Sequence, residues 1–217
     1  MGPAEMPFYV GLDLGQSADY TALAVIQDGV KKKPDTERLE KFLHLRHLER
    51  FELGALYPDI AEAVAALVRS PELSPDEFDG VRIKRTRPEL VVDQTGVGLA
   101  VTDLLKKKGV RFRAVTITGG TETNYGGGSW HVPKRDIMGA LEVPFHTGEL
   151  QVAEDMKLWP TLREELLNFR RKIDLRTAHD SYEHWREGDH DDLVLAAALA
   201  CWWPKVRRGS TKLRVLR

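Results

Sequence analysis

Cysteine is nearly absent from this sequence. Cys201 is the only one in 217 residues, so no internal disulfide can form and a cysteine-built zinc site is excluded. Cys201 lies in the apolar run LVLAAALACWW and reads as a small buried hydrophobe. No stretch approaches the ~18–20 apolar residues that span a bilayer, so no membrane partner is expected. The opening residues lack a basic region followed by an apolar core, so no signal peptide is expected. Residues 1–6 carry no pattern and read as a cloning leader outside the fold. Net charge is also small. The 32 Lys and Arg nearly balance 33 Asp and Glu, leaving −1, so total charge announces no nucleic-acid partner. A Gly-x-x-x-x-Gly-Lys-Ser/Thr phosphate loop is missing as well.

The residues that are present suit one domain with a substantial core, at 42% hydrophobic and 30% charged. Charge is distributed unevenly. Lys31-Lys32-Lys33, the stretch from Arg82 to Arg87, Lys106-Lys107-Lys108 and Arg170-Arg171-Lys172 are local basic clusters. From Lys205 onward there are six Lys or Arg and no acid, which suits phosphate contact. The expected layout is a domain over residues 7–204 followed by a basic tail over 205–217.

Periodicity supplies the elements. Phe8 to Asp13 and Tyr20 to Gln27 read as strand, tight turn, strand, and Phe42 to Phe51 as a third strand of an antiparallel meander. Tyr57 to Arg69 has helical spacing, with Ile60, Ala63, Val64, Leu67 and Val68 on one face. Ser70 to Asp79 reads as a loop. Glu89 to Val92 is a short apolar strand ending at Asp93, followed by a helix from about Leu99 to Lys108 that stops at Gly109. Phe112 to Ile117 is another strand. Thr118 to Trp130, centred on Gly126-Gly127-Gly128, reads as a mobile loop, and Pro133 to Leu141 as the start of a helix. Leu150 to Val152 reads as an edge strand, and Pro160 to Arg170 as a helix with Leu162, Leu166 and Phe169 inward. Thr177 to His190 reads as a polar hairpin or loop, and Asp191 to Trp203 as a last helix stopped by Pro204. A meander followed by alternating strands and helices predicts an α/β fold with a mixed sheet flanked by helices.

Asp13 stands in an apolar strand between Leu12 and Leu14. An unpaired carboxylate buried there is costly, and metal coordination removes the cost. Asp93 repeats the pattern at the end of Leu90-Val91-Val92. Open sheets place their sites at such strand ends. Asp191 and Asp192 head the last apolar helix. Each acid has a simpler reading: Asp13 and Asp19 as turn residues, Asp93 as a helix cap, Asp191 or Asp192 as an N-cap. As a set, they converge if both strands and the last helix are neighbours. Clustered carboxylates repel one another and call for cations, and oxygen-only ligands favour Mg²⁺ or Mn²⁺. Two such ions ~3.5–4 Å apart can hold a phosphodiester for in-line attack by water.

The stretches FYVGLDLGQSADYTALAVI, LVVDQTGVGLAVTDLL and HDDLVLAAALA together resemble the C-terminal nuclease domain of tailed-bacteriophage large terminases, from about Phe8 to Trp203. The resemblance implies a ribonuclease-H-like, resolvase-related fold that cuts double-stranded DNA during genome packaging in the infected host's cytoplasm. It implies metal ligands at Asp13, Asp93 and the Asp191–Asp192 pair, with Asp192 marginally preferred, and two Mg²⁺ or Mn²⁺ ions. It also implies as partners an ATPase motor domain of the same full-length protein, a small terminase subunit and the portal. The missing phosphate loop means that translocation is not expected of this stretch itself. Asp19, His184 and His190 are auxiliary candidates, and Lys134 and Arg135 are candidate DNA contacts. Trp130, Trp185, Trp202 and Trp203 read as packing. With no base-reading helix, sequence preference is expected to be weak.

Gly11-Leu12-Asp13-Leu14-Gly15-Gln16-Ser17 also resembles the first phosphate loop of sugar-kinase-like and actin-like ATPases. Those enzymes hold nucleotide between two such domains, and the acidic pair heading the last helix has no natural role there. A Holliday-junction resolvase or transposase would use the same acids on another DNA shape. A non-catalytic DNA-binding module would have no need of them.

Overall fold

The computed structural model describes residues 6–15, 19–32, 39–78, 80–96, 98–176 and 191–213. Their centre is an eight-stranded mixed sheet. Strands β1 (Phe8–Asp13), β2 (Ala22–Lys32) and β3 (Leu39–Arg50) form the expected antiparallel meander. Beyond it, β6 (Glu89–Asp93), β7 (Phe112–Thr118) and β9 (Ser129–Pro133) run parallel to β1. Strand β8 (Asn124–Gly126) closes one edge antiparallel to β9, and β10 (Leu150–Val152) closes the other parallel to β3. The order across the sheet is β10-β3-β2-β1-β6-β7-β9-β8. A separate small hairpin pairs β4 (Glu77–Phe78) with β5 (Val81–Arg82).

Helices cover both faces. Helices α1 (Tyr57–Arg69) and α2 (Gly98–Lys107) pack Ile60, Val64, Val101 and Leu105 against Val10, Leu12, Leu90 and Val92. The opposite face carries α3 (Lys134–His146), α4 (Trp159–Arg176) and α5 (Asp192–Leu213). There Leu141, Leu162 and the buried run from Leu193 to Trp203 pack on Tyr9, Ala24 and Val91. Such two-sided burial explains why β1 and β6 read as continuous apolar runs rather than alternating ones.

Three expectations are corrected. The glycine segment is no mobile loop: Gly127 and Gly128, at φ of 60° and 83°, turn the β8–β9 hairpin. Two adjacent left-handed residues are what a tight hairpin turn needs. Residues 70–79 are not all loop, since a 3-10 turn (Pro71–Leu73) and β4 lie within them. Pro204 does not stop the last helix, which continues to Leu213. A proline inside a helix costs about 3 kcal/mol. Here tertiary contacts offset it: Trp202 and Trp203 are buried, Val206 packs on the core, and Arg207 bonds Glu89 at 3.2 Å and the Tyr9 hydroxyl at 3.4 Å. Cys201 is buried, as its apolar surroundings predict.

Candidate active site

Side-chain alternation aims the first two acids. Tyr9 and Val91 face the α5 layer, while Val10, Leu12 and Val92 face the α1–α2 layer. With a period of two, Asp13 and Asp93 point toward α5. The parallel register pairs Leu12 with Val92, so one residue further Asp13 stands beside Asp93 at the carboxyl end of the sheet.

Gly11 brings the third element down. A Cβ at Gly11 would lie 2.0 Å from the Ala196 carbonyl oxygen and 2.8 Å from the Ala200 nitrogen, so the strand and helix backbones touch there. One helical turn back from Ala196 is Asp192. That turn rises about 6 Å, close to the roughly 6.6 Å between Gly11 and Asp13 along the strand. The head of α5 therefore reaches the level of the strand ends.

The electrostatics agree with this convergence. Burial pushes the Asp13 carboxyl well above the usual carboxylate range, and the charges of Asp93, Asp191 and Asp192 push it further. Lys134 opposes them. Asp93 is buried and held: its Oδ1 accepts the Thr95 N–H at 2.8 Å and the Thr95 hydroxyl at 2.5 Å. That hydroxyl in turn accepts the Ile117 N–H at 3.0 Å. Asp191 immediately precedes α5, and its carbonyl accepts the Leu195 N–H at 2.9 Å. Its carboxylate meets Lys134 Nζ at 3.0 Å. Asp192 is 4% exposed and faces Arg50 at 2.8 Å.

The remaining candidates separate. Lys134, at the junction of β9 and α3, joins the acids and also lies over the Phe169 ring at 5.6 Å. Arg135 points away, donating to the Thr121 carbonyl at 2.6 Å beside Asp136. Asp19 is exposed in the bend after β1 and is not among the charges acting on Asp13. His184 and His190 lie outside the described residues, as does Trp185. Trp130 meets Trp202 and Trp203 edge-on at 5.8 Å each, which is packing.

Sequence reasoning missed two residues. Arg50, the last residue of β3, contacts both Glu165 and Asp192. Glu165 on α4 is 6% exposed and accepts the Val194 N–H at 3.1 Å. Burial pushes Glu165 up to about 7, against the pull of Arg50 and the Val194 N–H, with Asp192 adding to the rise. A signal for Glu165 existed: it falls between Leu162 and Phe169 on the inward face of a helix, where a charge needs a partner. Arg50 carried no such signal.

Among the described residues, no three His, Cys, Asp or Glu side chains form a ready-made metal cage. The residues nevertheless fit divalent cations in kind. The donors are all carboxylates, and Asp13, raised first by burial and then by the charges of Asp93, Asp191 and Asp192, sits among them where a cation would relieve the crowding.

Acids at the carboxyl edge of a mixed sheet, with meander, parallel strands and a closing helix in this order, define a ribonuclease-H-like fold. No protein-family model and no curated protein sequence matches the chain. Among solved structures, it is similar to the large terminase nuclease from thermophilic phage G20c, at 19% identity and a TM-score of 0.52. That match covers 92% of this chain and 84% of the phage protein. A Mn-soaked structure of the human cytomegalovirus terminase nuclease domain aligns over 91% of this chain and 83% of that one, at 16% identity and a TM-score of 0.49. The chain thus has the fold of the phage terminase nuclease. No helix among the described residues is long and apolar enough to cross a membrane.

Proposed function

We propose that this chain is a metal-dependent endonuclease domain that hydrolyses phosphodiester bonds of double-stranded DNA, acting in phage genome packaging in the host cytoplasm. The observation that carries the reading is the gathering of Asp13, Asp93, Asp191 and Asp192 at one edge of the sheet, where the last three act on buried Asp13. Stability alone does not call for such a cluster, because each added charge raises the cost of the others. The phage G20c protein is a large terminase nuclease, which supports the direction of the proposal.

In this reading Asp13, Asp93, Asp191 and Asp192 hold Mg²⁺ or Mn²⁺. Such ions, held by these four carboxylates, would supply acidification of a water and charge stabilisation for a leaving 3′ oxygen. The chain's own residues provide position and charge. Thr95 holds Asp93 in one orientation, which limits reorganisation on substrate binding. Lys134 balances Asp191 and offers a cation to a phosphate oxygen arriving at the same edge. Arg135 supplies an exposed positive charge beside it. The motor domain, small subunit and portal of a packaging machine are the partners this role implies.

Purified protein should nick or linearise plasmid DNA with Mn²⁺ or Mg²⁺ and stop on addition of EDTA. Asp13→Ala and Asp93→Ala should each slow cutting by about a thousandfold or more with an unchanged circular dichroism spectrum. Full activity in either variant would sink the assignment, and tight metal-dependent ATP binding would favour a phosphate-loop reading of residues 11–17.

A further inference from the structure

Helix α5 has a problem of register. From Leu193 to Trp203 every residue is buried, and apolar packing is non-directional. Its aliphatic side chains offer no directional bond, and such bonds lie at the far end, where Trp203 Nε1 donates to Glu89 at 2.6 Å and Arg207 reaches Glu89 and Tyr9. A slip of one residue rotates its head by about 100° and carries Asp191 and Asp192 away from Asp13. The close approach at Gly11 limits the distance between helix and sheet. A directional contact at the head of the helix would fix the end that carries the acids.

Arg50 and Glu165 supply one. They come from two other elements, the end of β3 and the inner face of α4. The Arg50 guanidinium touches Glu165 Oε1 and lies 2.8 Å from Asp192 Oδ2. It is stacked over the Tyr20 ring at 4.7 Å, which limits its rotation. Glu165 Oε2 accepts the Val194 N–H in the first turn of α5. One side chain therefore forms an ion pair with the Asp192 carboxylate, and the other accepts a hydrogen bond from a backbone N–H two residues on. As a stabilising device the arrangement is poor. Arg50, Glu165 and Asp192 side chains are only 16%, 6% and 6% exposed, and apolar residues of similar volume would often serve stability as well or better. Buried charge is best justified where direction matters.

We infer that Arg50 and Glu165 form a positioning clamp that sets the register of α5 and, through it, presents the Asp191–Asp192 pair to Asp13 and Asp93. The clamp acts on the pair through Asp192, whereas Asp191 pairs with Lys134. The inference rests on the proposed nuclease reading.

The experiment uses the full chain and four variants: Arg50→Met, Arg50→Lys, Glu165→Ala and Asp13→Ala. Plasmid cutting is resolved into kcat and KM, and amide hydrogen exchange is measured at Val194 and Leu195. The clamp predicts that Arg50→Met and Glu165→Ala lower kcat by about 100-fold at unchanged KM, the scale of a small misplacement of reacting groups. Exchange at Val194 should rise by about tenfold, as for loss of a helix cap. Arg50→Lys keeps the charge but loses the fork, so it should recover part of both and remain folded if the other variants do not. A kcat within about twofold of the unaltered chain in Arg50→Met, well below that hundredfold scale, overturns the clamp. So does faster exchange with no loss of kcat, which would make Glu165 a helix cap and nothing more. If the unaltered chain does not cut, or Asp13→Ala cuts equally well, the nuclease reading fails by itself. Exchange then decides whether the helix head is clamped: unchanged exchange in both Arg50→Met and Glu165→Ala overturns it.

Discussion

At the scale of single residues, the informative feature is charge that folding makes worse. Asp13 and Glu165 both hold their protons more tightly in the folded protein than as free side chains. A carboxyl group raised on folding contributes stability that is complete below its unfolded pKa and is lost as pH rises through its folded one. For Glu165 that window runs from 4.5 to about 7, and Asp13 moves in the same direction. In EDTA, the melting temperature should therefore fall as pH is raised from about 5 to about 8. Asp13→Asn removes one of the repelling charges. It should raise the melting temperature at about pH 8 and flatten the pH dependence, while abolishing cutting. A lower melting temperature in Asp13→Asn at that pH would show that Asp13 does not carry this strain. If the acids hold divalent ions as proposed, those ions should restore the melting temperature of the unaltered chain at high pH more than that of the variant, because they would bind only the folded site.

At the scale of elements, two glycines make opposite predictions. Gly11 is where β1 and α5 meet backbone to backbone. Gly11→Val must push α5 away from the sheet and should cost about 3 kcal/mol or more, measured by urea unfolding. Gly139 lies inside α3 with nothing within 4 Å of an added Cβ. Gly139→Ala should stabilise by about 1 kcal/mol, because it lowers the backbone entropy of the unfolded chain without a clash. Equal effects of the two substitutions would refute the close approach. Elements with strong periodicity were legible in the sequence. Helix α1 has the expected bounds Tyr57–Arg69, and the meander and β6 have the expected form. The β8–β9 hairpin was not, because a run of glycines signals a loop and a tight turn equally well. Nor was the continuation of α5 past Pro204, because local propensity cannot report that Val206 and Arg207 find partners on distant strands.

At the scale of the molecule, the candidate site was legible only where chain-local signals existed. Asp13 interrupts an apolar run, Asp93 ends one and the Asp191–Asp192 pair heads one, and those anomalies are visible in one dimension. Arg50 and Glu165 are 115 residues apart in sequence, and their meeting is a consequence of the three-dimensional fold alone. The charge distribution makes a last prediction. If the proposed function holds, a chain with net charge −1 and an acidic centre would have to bind DNA through local cations, against its own site. Binding should therefore depend steeply on salt, with a log–log slope near −0.9 for each phosphate neutralised. Arg135 is well exposed beside Lys134, so Arg135→Ala should weaken duplex binding at low salt and reduce the slope by about 1. Its kcat on saturating plasmid should change little, because Arg135 points away from the acids. Arg135→Ala with an unchanged slope would move the DNA path away from the β9–α3 junction, and a large fall in kcat at saturation would place Arg135 within the reacting centre instead.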